Sequence, residues 1–153
     1  MRTEVNHLAR LLAQQLHARI APLGVVPGQF AQLLALFEHD GLTQRELCDL
    51  VRIEQPTMAS TLQRMERDEL ITRESDPQDG RRTRVLLTTR AGALKRPLLA
   101  AARDVNAAAT AGLSDREIAA FMETLARMIA NLEPDDAADL TGRGSGRRPR
   151  ASR

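Results

Sequence analysis

Short polar side chains and arginines are the groups that read base edges and hold phosphates, and this chain concentrates them between Gln55 and Arg84. Gln55, Thr57, Ser60 and Gln63 offer donors and acceptors suited to bases, with Arg64 and Arg67 nearby for phosphate. Arg81, Arg82 and Arg84 then cluster beside an Asp76-Pro-Gln-Asp-Gly80 turn. Three arginines on a protruding hairpin are placed to enter a minor groove or to grip the phosphates on either side of it. A solvated charged loop has the same composition; the position of these arginines, directly after a helix of polar and basic residues, favours the nucleic-acid reading.

Other reactive side chains are few. Cys48 is the only cysteine, which excludes a disulfide within the chain and leaves a zinc thiolate cluster without a second sulfur. It is either a small buried thiol or a redox switch, and a switch needs a lowered thiol pKa and exposure. His7, His17 and His39 share no metal-ligand spacing, so no metal site is expected. At about 100° per residue, His7 and His17 stand roughly 80° apart on a helix, either lining one cavity from adjacent faces or partly exposed. No Ser/His/Asp order, phosphate loop or Glu-flanked histidine pair supports catalysis, so neither an enzyme nor a cofactor is expected.

The elements that must carry the polar cluster follow from capping and periodicity. A first helix opens at Thr43, where Thr-Gln-Arg-Glu forms a capping box with Glu46. Leu47, Leu50 and Val51 give it an apolar stripe, and Arg52 and Ile53 fill the following turn. A second helix, Gln55 to Leu70, sets Met58, Leu62, Met65 and Leu70 on one side, with Thr57, Ala59, Ser60, Gln63, Arg64 and Arg67 mostly on the other. Pro56 marks its first turn. Ile71 to Glu74 and Arg84 to Thr88 read as short strands around the Asp76–Gly80 turn. Two helices and a basic hairpin in this order make a winged helix-turn-helix, and duplex DNA the expected partner.

Leu42-Thr-Gln-Arg-Glu-Leu, Gln55-Pro-Thr, Leu70-Ile-Thr-Arg and the pattern Asp79-x-Arg81-x-x-x-Val85-x-Leu87-Thr88 resemble the MarR family of bacterial transcriptional regulators. The resemblance implies a homodimer in which each subunit reads half of a pseudopalindrome, with Asp79 and Arg81 matching the wing's acid and arginine. Ala59 and Ser60 stand where members often have Thr and Arg, Glu69 replaces a helix-ending glycine, and Gly92 sits one residue late. Members often bind small aromatic or phenolic acids where flanking helices meet the reading head. His7, His17, Arg19, Phe30 and Arg96 are the candidate lining residues for such an effector.

The remaining chain fits that plan. With three Phe and no Trp or Tyr in 153 residues, the core is built from Leu, Ile, Val, Met and Ala, and the abundance of Leu and Ala favours helices. The expected fold class is mainly α, a winged helix-turn-helix at about 28–90 with dimerisation helices at 1–22 and 90–133, in one domain over 1–140. Leu8, Leu12, Leu16 and Ile20 recur at i+4. Ile118, Phe121, Leu125, Ile129 and Leu132 follow steps of three and four behind a second capping box, Ser114-Asp-Arg-Glu117. Between wing and last helix, Leu94, Leu98 and Val105 mark a long helix that Pro97 is expected to kink. The Gly-, Arg- and Pro-rich segment 141–153 reads as a disordered basic tail, either solubilising or a phosphate tether. Setting aside its five arginines turns the formal charge of +2 into −3 for residues 1–140. Glu4, Asn6, His7 and Arg10 break up any leader-like run, and no segment approaches the ~20 apolar residues of a membrane span, so a cytoplasmic protein is expected. Two other classes stay open: a redox-sensing regulator acting through Cys48, and a winged-helix protein-docking module that binds no DNA.

Overall fold

The computed structural model describes residues 2–133; the 141–153 tail lies outside them. In chain order the elements are α1 (Arg2–Ile20), a 3₁₀ turn (Ala21–Leu23), α2 (Pro27–Glu38), β1 (Leu42–Thr43), α3 (Gln44–Val51), α4 (Gln55–Arg67), β2 (Ile71–Ser75), β3 (Thr83–Leu87), α5 (Thr89–Ala109) and α6 (Asp115–Ala130). The chain divides into two units between Ala111 and Gly112, whereas the sequence predicts one domain through residue 140. The first unit carries the helix-turn-helix and wing; the second carries α6, which buries none of its own side chains.

The capping boxes form as their spacing predicts. Thr43 Oγ1 accepts from the Glu46 backbone N–H at 3.3 Å, and Glu46 Oε2 accepts from the Thr43 N–H at 2.7 Å. Ser114 and Glu117 repeat the arrangement at the start of α6. α3 ends where Arg52 turns left-handed at φ 58°. Leu47 and Cys48 are buried but Leu50 is 57% exposed, which departs from the predicted stripe. In a helix of eight residues the buried arc is narrow, and Leu50 falls about 100° from the centre of the arc holding Leu47, Cys48 and Val51.

α4 starts as expected, with Pro56 in its first turn, but ends at Arg67 rather than Leu70. Asp68 caps it, Glu69 takes φ 58°, and Leu70 leaves the helix to enter the core. β2 and β3 pair antiparallel from Ile71↔Leu87 to Ser75↔Thr83. A third strand, β1, adds to the other edge of β3 through Leu42↔Val85 and Thr43↔Arg84, giving the order β1-β3-β2.

The core of this unit gathers Ile20, Leu33, Leu36, Leu47, Met58, Leu62, Met65, Leu70, Ile71, Val85 and Leu98, all essentially inaccessible. Burying each large apolar side chain contributes about 1.5–3 kcal/mol, so the seat of α4 is held chiefly by hydrophobic packing. α1 packs against α5 within the same unit, and its burial grades from exposed Leu8 to fully buried Ile20. α5 runs unbroken through Pro97.

Candidate nucleic-acid interface

On α4 the buried arc is formed by Met58, Thr61, Leu62 and Met65. At about 100° per residue, the direction opposite it is occupied by Pro56, Ser60, Gln63 and Arg67, all exposed, with Thr57 and Arg64 along one edge. Gln55 lies close to the buried arc, and its Oε1 accepts from Gln44 Nε2 of α3 at 2.9 Å. Ser60 and Gln63 are therefore the neutral polar side chains that project furthest from the buried arc, while Gln55 braces the two helices at their crossing. Arg64 folds back on its own helix, with Nε donating to the Ser60 carbonyl at 3.3 Å. Arg67 Nε pairs with Asp68 Oδ1 at 3.3 Å.

The wing is built around two aspartates. Asp79 Oδ1 accepts from the Arg81 backbone N–H at 3.1 Å, and the Asp79 carbonyl accepts from the Arg82 N–H at 2.9 Å. The loop is closed by the Asp76 N–H donating to the Arg82 carbonyl at 2.8 Å. Arg81 and Arg82 are left exposed at the tip. Arg84 differs from the phosphate-gripping role expected of it: its Nε donates to Asp76 Oδ2 at 3.0 Å, and it is only partly exposed. Asp76 is buried and also accepts from the Gln78 N–H at 2.8 Å. Arg84 thus braces the hairpin from within, a role that an eight-residue spacing across a turn does not announce. A cleft of about 600 Å³ separates the start of α3 from the wing, with Arg45, Glu46, Gln55 and Arg82 among its walls. Arg45, absorbed by the capping-box reading of the sequence, is a further exposed cation at this rim.

Several carboxylates here sit below their ordinary range. Glu46 is lowered first by the Thr43 backbone N–H and then by its hydroxyl, with Arg82 and Arg84 adding to the effect. Asp68 is lowered mainly by the Gln29 side chain and then by Arg67, and Asp76 mainly by the Gln78 N–H and then by Arg84. Folded values below unfolded ones mean that the unfolded chain binds more protons in acid. The stabilisation is therefore complete above the ordinary carboxylate range and is lost as pH falls through the lowered values. The urea midpoint is expected to hold near neutral pH and to fall on acidification, with Asp76→Asn flattening that fall; an unchanged acid limb in this variant would rule out its contribution.

The candidate effector residues are not brought together. His7, His17 and Arg96 are exposed, Arg19 donates to Gln15 at 2.8 Å, and Phe30 is buried in the core. His7 and His17 are ten residues apart on α1, about 15 Å along its axis, so adjacent helical angles do not make them neighbours. The depressions beside His7 and beside Arg96 are separate, one on α1 and one on α5. The Cys48 thiol is buried, and desolvation, then Asp49, raises its pKa, the opposite of what a peroxide-sensing thiolate requires. Among the described residues no cluster of three His, Cys, Asp or Glu is arranged to hold a metal, and no single helix is long and apolar enough to cross a membrane.

Residues 23–82 match a model of the MarR family. The solved PcaV transcriptional regulator of Streptomyces coelicolor, in complex with its natural ligand, is 30% identical and superimposes with a TM-score of 0.70 over 84% of this chain and 93% of its own. The chain belongs to the MarR family of transcriptional regulators. The HTH-type transcriptional repressor NicR of Pseudomonas putida is 29% identical over 130 residues, 82% of either chain. The fold also matches that of the Staphylococcus aureus MepR–DNA complex at 24% identity, with a TM-score of 0.76 over 84% of this chain and 94% of that one. A further curated regulator is matched at 30% identity over 88 residues, 64% of its length. As a MarR-family member the protein is a regulator rather than an enzyme.

Proposed function

We propose that this protein is a cytoplasmic, homodimeric repressor that binds a pseudopalindromic operator in duplex DNA and is released by a small aromatic or phenolic acid. The observation that carries the reading is the outward row Ser60, Gln63 and Arg67 on α4, flanked by Thr57 and Arg64 and set beside a wing with exposed Arg81 and Arg82. Ser60, Gln63, Thr57 and the free amide hydrogens of Gln55 read bases; Arg64 and Arg67 hold phosphate; Arg81 and Arg82 work the minor groove. Dimerisation is supported by apolar side chains left open in each unit: Val5, Leu8 and Leu11 on α1, and Phe121, Met122 and Ile129 on α6. A groove of about 210 Å³ between α1 and α5, lined by Leu8, Leu11, Leu12, Val105 and Ala108, offers a second copy a ready seat. The repressor and effector parts draw on NicR, named a repressor, and on PcaV, solved with its ligand.

Selection of bound duplexes from a random pool, followed by titration at two salt concentrations, tests this reading. The expected result is a pseudopalindrome with half-sites about one helical turn apart, released by an aromatic carboxylate. Salt-sensitive binding without sequence preference would sink it, and a monomeric protein at micromolar concentration would remove the dimer.

A further inference from the structure

α4 meets the rest of its unit at a polar joint that hydrophobic packing does not require. Gln29, in the first turn of α2, is 2% exposed, yet it is not idle: its Oε1 accepts from the Val26 N–H at 3.3 Å and its Nε2 donates to Asp68 Oδ2 at 2.8 Å. Asp68 is the residue that caps α4, its own N–H donating to the Arg64 carbonyl at 2.9 Å. The three carbonyls that follow α4 are all taken by the start of α5. Arg90 donates to that of Asp68, Thr88 Oγ1 to that of Glu69 at 2.7 Å, and the Thr88 N–H to that of Leu70 at 3.1 Å. Arg90 in turn lies over Gly24, which has φ 76° in the turn joining α1 to α2, and a Cβ there would stand 2.9 Å from the guanidinium. The α1–α2 turn, the start of α2, the end of α4 and the start of α5 converge on one aspartate.

We propose that the Gln29–Asp68 hydrogen bond fixes the angle at which α4 is presented to DNA, making Gln29 and Asp68 positioning residues for operator recognition. The inference rests on the reading of this protein as a sequence-specific DNA binder. Its physical basis is leverage. Ser60 lies eight residues from Asp68, about 12 Å along the helix, so a tilt of roughly 10° about the joint moves it by about 2 Å. Base contacts made within 2.7–3.2 Å do not survive such a shift, whereas long, flexible arginines follow the phosphates. Loss of the bond therefore degrades sequence preference more than general affinity, and the wing, whose strands are anchored separately, keeps its contribution.

The test measures, on the full chain, the ratio of affinities for the selected operator and for a scrambled duplex of equal length. Gln29→Glu places two carboxylates within bonding distance and is expected to cut that ratio about tenfold, as loss of a hydrogen bond to a charged group would. Adding Asp68→Asn re-forms the bond with donor and acceptor exchanged and is expected to restore the ratio to within about threefold. Gln29→Met, of similar volume but without a donor, is expected to lower the ratio in the same direction, which keeps the test open if Gln29→Glu folds poorly. All titrations are run well below each variant's thermal midpoint, so that a change in stability alone leaves the ratio unmoved. Equal losses on both duplexes, or failure of the exchanged pair to restore the ratio, would overturn the proposal. A wild-type chain that selects no sequence would instead overturn the DNA reading, and this inference with it.

Discussion

Leu62→Ala is expected to lower the unfolding free energy by about 2–5 kcal/mol, the largest effect of any single substitution considered. Leu62 is wholly inaccessible and lies on the buried arc of α4 with Met58, Thr61 and Met65. Truncation removes its transfer free energy and leaves a cavity that a helix held on three sides by α2, α3 and the sheet cannot readily close. Domains of this kind are stable by only about 5–15 kcal/mol, so the variant gives up a large share of the total. Urea denaturation checks this as a lowered midpoint with an unchanged slope, while Leu62→Met, which keeps the volume, is expected to cost less than about 1.5 kcal/mol. A loss below about 1 kcal/mol for the alanine variant would mean that α4 settles freely onto the core, which contradicts a rigid seat for this helix.

Arg81→Ala is expected to weaken operator binding by about 1–3 kcal/mol, concentrated on the base pairs that flank the recognition half-site. The Arg81 backbone is locked by Asp79, so its exposed side chain leaves the hairpin from a fixed point. Arg64→Ala provides the contrast: from the phosphate-holding role proposed for this arginine, its loss is expected to weaken binding to all duplexes by the same factor and to lower the salt slope by about one. Arg84→Ala is a third, different case, because its guanidinium is committed to Asp76 and its removal acts through the shape of the wing. Titrations of operator and scrambled duplexes at several salt concentrations separate the three. A uniform loss at both Arg81 and Arg64 would erase the distinction between reader and anchor.

What the sequence made legible were features closed within a few residues. The two capping boxes, the start of α4 at Gln55 with Pro56 in its first turn, and the paired wing strands all rest on short-range spacing. The helix starts lie where that spacing puts them, and the strands run Ile71–Ser75 and Thr83–Leu87, within one residue of the expected Ile71–Glu74 and Arg84–Thr88. The family pattern added the winged helix as a whole. α4 ends three residues earlier than its periodicity suggests because Glu69 adopts a left-handed backbone, a conformation that its residue type does not advertise. β1 has no signature of its own because two residues carry no periodicity; only the pairing with Val85 and Arg84 makes them a strand. Interactions between distant segments were beyond reach: Gln29 with Asp68 across 39 residues, Asp40 with the Leu87 N–H across 47, and the commitment of Arg84 to Asp76. The candidate effector residues show the same limit, since helical angles are legible in a sequence, whereas the depth of Phe30 and the separation of His7 from His17 emerge only in three dimensions.

The ion pairs of the reading head bear on how such a protein finds its site. Arg67 is paired with Asp68, Arg73 with Glu66 and Arg84 with Asp76. Of these, Arg67 is the one proposed to hold phosphate; Asp68 acts as its built-in counterion, so this arginine must surrender a partner before it meets a phosphate, and the entropy gained there by releasing salt ions is correspondingly smaller. Both arbitrary DNA and an operator are then expected to be gripped less tightly by the same factor, and only an operator has base contacts to add to the reduced backbone term. On the proposed reading, residence on each wrong site is then expected to shorten, so that this one paired arginine favours sampling many sites over lingering on any of them.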